Sequence, residues 1–189
     1  MSINFTANLM NRATVMQQIS TNNYWDTDVS IVELDVNNDL DIKAIEETKN
    51  KWIDKGAMYI HHIYDDAVEN HQYYDVEKSH FYALTTQNAD FNKLKSDKIL
   101  GVMMFSEIKS NLPNEITWLE VNPETNKTLN KNREFKNVGT RLIEFVKNTF
   151  KTKDIHVHSA YNAKNFYKKN GFISMTNKIP DKYDMYLLR

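Results

Sequence analysis

Asn162-Ala-Lys-Asn-Phe-Tyr-Lys-Lys-Asn-Gly-Phe172 is the most specific pattern in the chain. Ala163, Phe166 and Tyr167 mark one face of a helix. Asn170-Gly171 supplies its stop, because glycine takes the left-handed backbone of a helix C-terminus without a Cβ penalty. Just before it, Ile155 and Val157 alternate with His156 and His158 as in a short strand. Further back, Leu142, Phe145, Val146, Thr149 and Phe150 recur at the spacing of a core-facing helix that begins near Val138. That helix opens from a basic, glycine-containing loop, Arg133-Glu-Phe-Lys-Asn-Val-Gly-Thr-Arg-Leu-Ile143. Glu115-Ile-Thr-Trp-Leu-Glu-Val121 precedes the loop as a strand, halted at Asn122-Pro123 because proline has no N–H for a sheet ladder. The order is strand, loop, helix, strand, helix, then Gly-Phe.

Upstream, residues 29–36 alternate apolar and polar like a strand. Asn37-Asn38-Asp39 breaks it, and Asp39 or Asp41 is placed to cap a helix in which Ile42, Ile45, Trp52 and Ile53 return to one face and Gly56 marks the end. Residues 59–64 fit either a helical turn or a short strand. Residues 80–85 and 99–105 read as neighbouring strands joined by a polar hairpin loop, the second apolar on both faces and therefore central in a sheet. Residues 183–188 read as a last strand. At the N-terminus Phe5, Leu9, Arg12, Val15, Met16 and Ile19 fall near helical spacing, so residues 1–28 are expected to form an extra helical segment.

A chain of 189 residues with 41% hydrophobic content suits one core, and no repeat or linker divides it, so a single domain over residues 1–189 is expected. The absence of cysteine excludes disulfides, thiolate catalysis and cysteine-ligated zinc. No run approaches the roughly 18 apolar residues of a membrane span, and the first residues lack the form of a secretory signal, so a cytoplasmic location with no membrane partner is expected. His61, His62, His71 and His80, with Asp65, Asp66 and Asp75 among them, match no metalloenzyme spacing, and no metal is expected. Basic residues cluster late in the chain without a nucleic-acid-binding motif, so no nucleic-acid partner is expected.

Charge is unevenly divided. The first 77 residues carry 14 acidic against 5 basic side chains, and the remaining 112 carry 11 against 19. Either these are solvated faces, or the basic part attracts a polyanionic ligand while the acidic part faces a cation. A strand ending where a glycine loop opens a helix presents free backbone N–H groups and a positive helix end, which together suit a pyrophosphate. Here Gly139 permits close backbone approach, Thr140 offers a hydroxyl, and Lys131, Arg133, Lys136 and Arg141 supply positive charge.

The segment from Asn162 to Phe172 resembles the closing motif of the GNAT superfamily of acetyl-CoA-dependent N-acetyltransferases, and looser similarity reaches back to about Val29. The loop departs from the family pattern: Glu134 stands where Gln or Arg is usual and Asn137 where the first glycine is usual, while Gly139 holds the second. Asn tolerates the left-handed conformation better than most residues, so such a loop can still form. The resemblance implies an α/β (α+β) fold, a central mixed, mostly antiparallel sheet flanked by helices. It implies acetyl-CoA as co-substrate, held by Leu119, Val121, Arg133, Lys136, Asn137, Val138, Gly139, Thr140 and Arg141. Asn162 matches the position that commonly bonds the pantetheine arm, and it fits a helix cap equally well.

Members of this family transfer the acetyl group directly to an amine, so no protein nucleophile is implied. By that resemblance Val121 would polarise the thioester carbonyl and Tyr167 would protonate the departing thiolate, unless Tyr167 is only core. An alkyl ammonium has a pKa near 10, so a base must take its proton. Glu120 or, as a rival, His158 is the candidate; otherwise each is an ordinary strand residue. The expected acceptor is a small-molecule or peptide amine, cationic or aromatic, met by Trp52, Tyr59, Tyr64, Tyr73, Tyr74 and the carboxylates around Asp65 and Asp66. A homodimer remains open, as does a non-catalytic module of this fold that binds CoA or a protein.

Overall fold

The computed structural model describes residues 7–69, 75–109, 111–126, 133–174 and 182–187. Along the chain lie β1 (Asn8–Ser20), β2 (Asn23–Leu34), α1 (Asp39–Ile53), α2 (Ile60–Glu69), β3 (Val76–Thr85), β4 (Ile99–Ile108) and β5 (Asn114–Val121). Then follow β6 (Phe135–Lys136), α3 (Val138–Thr149), β7 (Ile155–Ala160), α4 (Lys164–Lys169), β8 (Ile173–Ser174) and β9 (Lys182–Leu187). The nine strands form one sheet in the order β6-β1-β2-β3-β4-β5-β7-β9-β8. Every neighbouring pair is antiparallel except β5 and β7, so the expected mixed, mostly antiparallel sheet is present.

Successive strand side chains point to opposite faces, so each central strand feeds two cores. Ile31, Tyr82 and Met103 join Leu142, Val146, Tyr167 and Phe172 under α3 and α4. Their chain neighbours Val32, Ala83, Val102 and Met104 join Ile45, Trp52, Ile60 and Ile63 under α1 and α2. This explains why β4, flanked on both faces, reads as apolar throughout.

The N-terminal helix expected for residues 1–28 does not form over the described part. Residues 8–20 are a long strand paired antiparallel with residues 23–33, with Asn22 at the turn in a left-handed conformation, φ 61°. Ala13 and Val15 turn inward onto the α3 core, while Leu9, Met16 and Ile19 are exposed, so the apolar residues at helical spacing share no buried face. Phe5 lies outside the described residues.

Two other expectations are settled here. The cap of α1 is Asn38, whose side chain accepts from the Leu40 N–H at 2.8 Å, a contact of about 1 kcal/mol, and neither Asp39 nor Asp41 takes that place. Asp41 instead points inward to accept from the Asp35 N–H at 2.9 Å, and burial pushes its carboxyl up to about 6. Residues 60–64 begin α2, so the helical alternative holds.

Candidate functional site

Strands β5 and β7 are in register only at Asn114 with Ile155 and Glu115 with His156. Beyond that pair they part, and the last residues of β5 lack a ladder on that edge. The Asn122 N–H donates to Leu100 on the β4 side. Backbone N–H groups alternate along a strand, so the Val121 N–H lies on the open edge.

The opening leads into a cavity of about 600 Å³. Leu119, Glu120 and Val121 come from β5, and Asn137, Val138, Gly139 and Thr140 from the start of α3. Arg133 lies ahead of that helix, and Asn162, Phe166, Tyr167 and Lys169 come from the segment around α4. Gly56, Met58 and Tyr59, between α1 and α2, line the remaining side.

The start of α3 has the features that suit an anion. Its first amides have no partner a turn earlier within the helix, and Asn137 enters it at φ 69° and ψ 10°, the left-handed conformation expected of the residue in the usual glycine position. Gly139 is required by close packing: a Cβ there would lie 2.9 Å from Phe166 Cζ and 3.6 Å from Val121 Cγ1. Arg133 and Lys169 add positive charge at the wall.

Glu120 is buried, and its Oε2 accepts from the backbone N–H groups of Met58 at 3.0 Å and Tyr59 at 2.9 Å. The carboxylate thereby ties the α1–α2 connection to the end of β5. Burial raises its pKa above the ordinary glutamate range, against the opposing pull of the Tyr59, Met58 and Val121 amides. Tyr167 is buried too, and its phenol is pushed up by burial first and then by its neighbours Tyr59 and Glu120. Such a phenol stays protonated at neutral pH.

Ten of the thirteen residues singled out from the sequence line this cavity, and three do not: His158, Lys136 and Arg141. His158 stands exposed on the strand face opposite buried Val157 and Ser159, in edge-to-face contact with His156 at 4.4 Å between ring centroids. Lys136 sits 3.2 Å from the centroid of the Tyr24 ring, and the Arg141 Nε donates to the Thr14 carbonyl at 2.7 Å. Lys131 lies outside the described residues. Met58 and Lys169 were not singled out, and Tyr59 only as an acceptor contact. The link between Glu120 and the Met58–Tyr59 backbone spans some sixty residues and leaves no local pattern.

The proposed acceptor lining is also redistributed. Asp66 is buried and accepts from the Trp118 indole N–H at 2.8 Å, while the Trp118 ring stacks with Tyr59 and His62. Tyr64 carries the Lys49 ammonium 3.6 Å above its ring. His80 lies buried between Glu33 at 2.6 Å and Glu107 at 2.8 Å, and its hydrogen bond lowers the Glu33 carboxyl. His71, Tyr73 and Tyr74 lie outside the described residues.

A mostly antiparallel sheet that splits beside a helix N-terminus is the architecture of the GNAT N-acetyltransferases, and this chain has that fold. It is similar to the PaiA N-acetyltransferase of Thermoplasma acidophilum in complex with coenzyme A, with a TM-score of 0.51 and 16% identity, covering 85% of this chain and 99% of that one. It is similar also to Escherichia coli ElaA, at TM-score 0.50 and 12% identity over 84% and 98% of the two chains. The spermidine/spermine N-acetyltransferase SpeG of Vibrio cholerae, in mutant forms, gives TM-score 0.50 and 14% identity over 85% and 93%. No family model and no curated protein matches the chain. Among the described residues no helix is long and apolar enough to cross a membrane.

Proposed function

We propose that this chain is an N-acetyltransferase that moves an acetyl group from acetyl-CoA directly onto a primary amine while both are bound. The observation that carries the reading is that one cavity brings together the free amides of α3, the open edge of β5 and the buried Tyr167 hydroxyl. The residues present fit the co-substrate. Helix amides with Arg133 and Lys169 suit its phosphates, Gly139 leaves room against Phe166, and about 600 Å³ is the size of a cofactor pocket.

Acetyl-CoA supplies the activated thioester. The chain's own groups do the rest. The Val121 N–H, on the open strand edge beside the Glu120 carboxylate, would turn to the carbonyl oxygen when the thioester occupies that edge, and donors of this kind are commonly the largest single catalytic contribution. As the C–N bond forms and the C–S bond breaks, the Tyr167 hydroxyl would give its proton to the departing sulfur and regain one from the nitrogen, which sheds its second proton on becoming an amide. Glu120, its basicity raised by burial, takes a proton from the incoming ammonium, and its hold on Met58 and Tyr59 fixes the opposite wall. Lys136, Arg141 and His158 have no part in this scheme, because none of them lines the cavity.

A thermal-shift titration with acetyl-CoA, with CoA and ATP as controls, tests the reading. A ligand at about 100 times its Kd adds about 2.7 kcal/mol, which for a chain of this size is a rise of about 5–10 °C. That rise with the CoA ligands, followed by acetylation in an amine panel, is the expected result. Binding without turnover of any amine would favour a CoA-binding module, and no rise at all would remove the co-substrate.

A further inference from the structure

The gap between β5 and β7 has a closed end, and a second cluster sits there. His156 and His158 are two residues apart on β7 and so project from one face. Glu115 is the residue paired with His156 across the parallel ladder. The three offer ligand atoms that all lie within 4.8 Å of one another. The Nε2 atom of His156 is out of solvent, Glu115 is half-buried and His158 is exposed, so the group opens to solvent on one side only. None of the three lines the cavity at the open end.

We propose that Glu115, His156 and His158 bind a divalent transition-metal ion of the zinc class. The donor set argues for that class: imidazole nitrogens suit zinc and its neighbours, whereas magnesium and calcium take oxygen. Two imidazoles and one carboxylate leave one tetrahedral position for water or an incoming side chain. Donor atoms around such an ion stand about 3.3 Å apart, so the three side chains draw in by at most about 1.5 Å, which rotation of an exposed imidazole and a half-buried carboxylate allows. The other histidines with described side chains are engaged differently. The His61 and His62 rings meet at a tilt, His62 stacks on Trp118, and both nitrogens of His80 meet carboxylates. An ion at this point joins β5 to β7 where only two residue pairs hold them. This site does not depend on the acetyltransferase reading.

The test is isothermal titration of ZnCl₂ into the untagged, EDTA-treated full chain, with MgCl₂ as control. One equivalent of zinc at micromolar affinity or tighter, with no magnesium binding, is expected. His158→Ala and Glu115→Gln should each weaken zinc by at least about tenfold, since each removes one of three ligands. A His61→Ala, His62→Ala double variant should bind as the unaltered chain does, and circular dichroism checks that each variant is folded. Absence of zinc binding, or undiminished affinity in folded His158→Ala and Glu115→Gln, overturns the proposal. Loss of binding only in the His61, His62 variant overturns it equally.

Discussion

The segment from Arg133 to Arg141 has two sides that differ in purpose. Toward the cavity it presents Arg133, Asn137, Val138, Gly139 and Thr140. Toward the N-terminal hairpin it is strapped down. Phe135 and Lys136 pair with Gln17 and Met16, the Gln18 N–H donates to the Glu134 carbonyl at 2.7 Å, and the Arg141 Nε donates to the Thr14 carbonyl. Cations only a few residues apart are therefore placed differently: Arg133 faces the cavity, while Lys136 and Arg141 contact the hairpin. The side chain of Glu134, which departs from the family pattern, lies 3.4 Å from the Gln17 amide, so this departure belongs to the hairpin side. On the proposed reading this loop opens an anion site and must be held still, and the hairpin holds it.

The cavity side breaks most completely at Gly139. A Gly139→Val side chain would push into Phe166, 2.9 Å from where its Cβ must sit. Overpacking of this kind costs about 1–3 kcal/mol, at about 2–4 °C of Tm for each. The larger effect is on the ligand: the acetyl-CoA-dependent rise in Tm should vanish, meaning a loss of about 100-fold or more in affinity. A variant that keeps the full rise would show that the close approach at Gly139 is not where the co-substrate lies. Next in size is Tyr167→Phe, expected to lower kcat by about 100-fold with CoA affinity unchanged. Unaltered kcat would leave Tyr167 as core only.

The comparison is sharpest between two arginines. Arg133→Ala should weaken CoA by about tenfold while the free protein keeps its Tm, because it removes only a charge in the cavity wall. Arg141→Ala should leave CoA affinity within about twofold yet cost about 1 kcal/mol of stability, since it severs the bond to Thr14. Titration calorimetry and thermal unfolding of both variants read the two effects separately, and a reversed pattern would dissolve the distinction.

Sequence could not draw that distinction, because charge and spacing are the same on both sides and only the pairing of β6 with β1 separates them. Where burial follows one local period, the sequence was legible. Leu142, Phe145 and Val146 face one core, Tyr167 and Phe172 close it, and Asn137 takes the left-handed turn expected of it. The hairpin was misread for the opposite reason. Leu9, Met16 and Ile19 recur at helical spacing but are exposed, so their period reports no buried face. The usable signal was Thr21-Asn22-Asn23, a turn-prone triplet between two extended runs. His158 shows the same limit from another angle. Its alternation with buried Val157 and Ser159 already places it away from that core, but alternation alone does not say which face meets the ligand.

The smallest effect concerns the wall opposite the loop, and its sign is fixed by burial. The folded pKa of Glu120 is raised above its unfolded value, so the stability linked to its protonated form is fully present below about 4.5. That stability is lost as pH rises through the higher folded value. Glu120→Gln keeps an oxygen that can accept from Met58 and Tyr59 and carries no charge at any pH. The Tm of the variant relative to the unaltered chain should therefore rise as pH climbs from the acidic end through the raised pKa, and then level off. A difference that shrinks as pH rises would mean that the two amides outweigh burial, leaving Glu120 an ordinary, low-pKa anchor and a poor base.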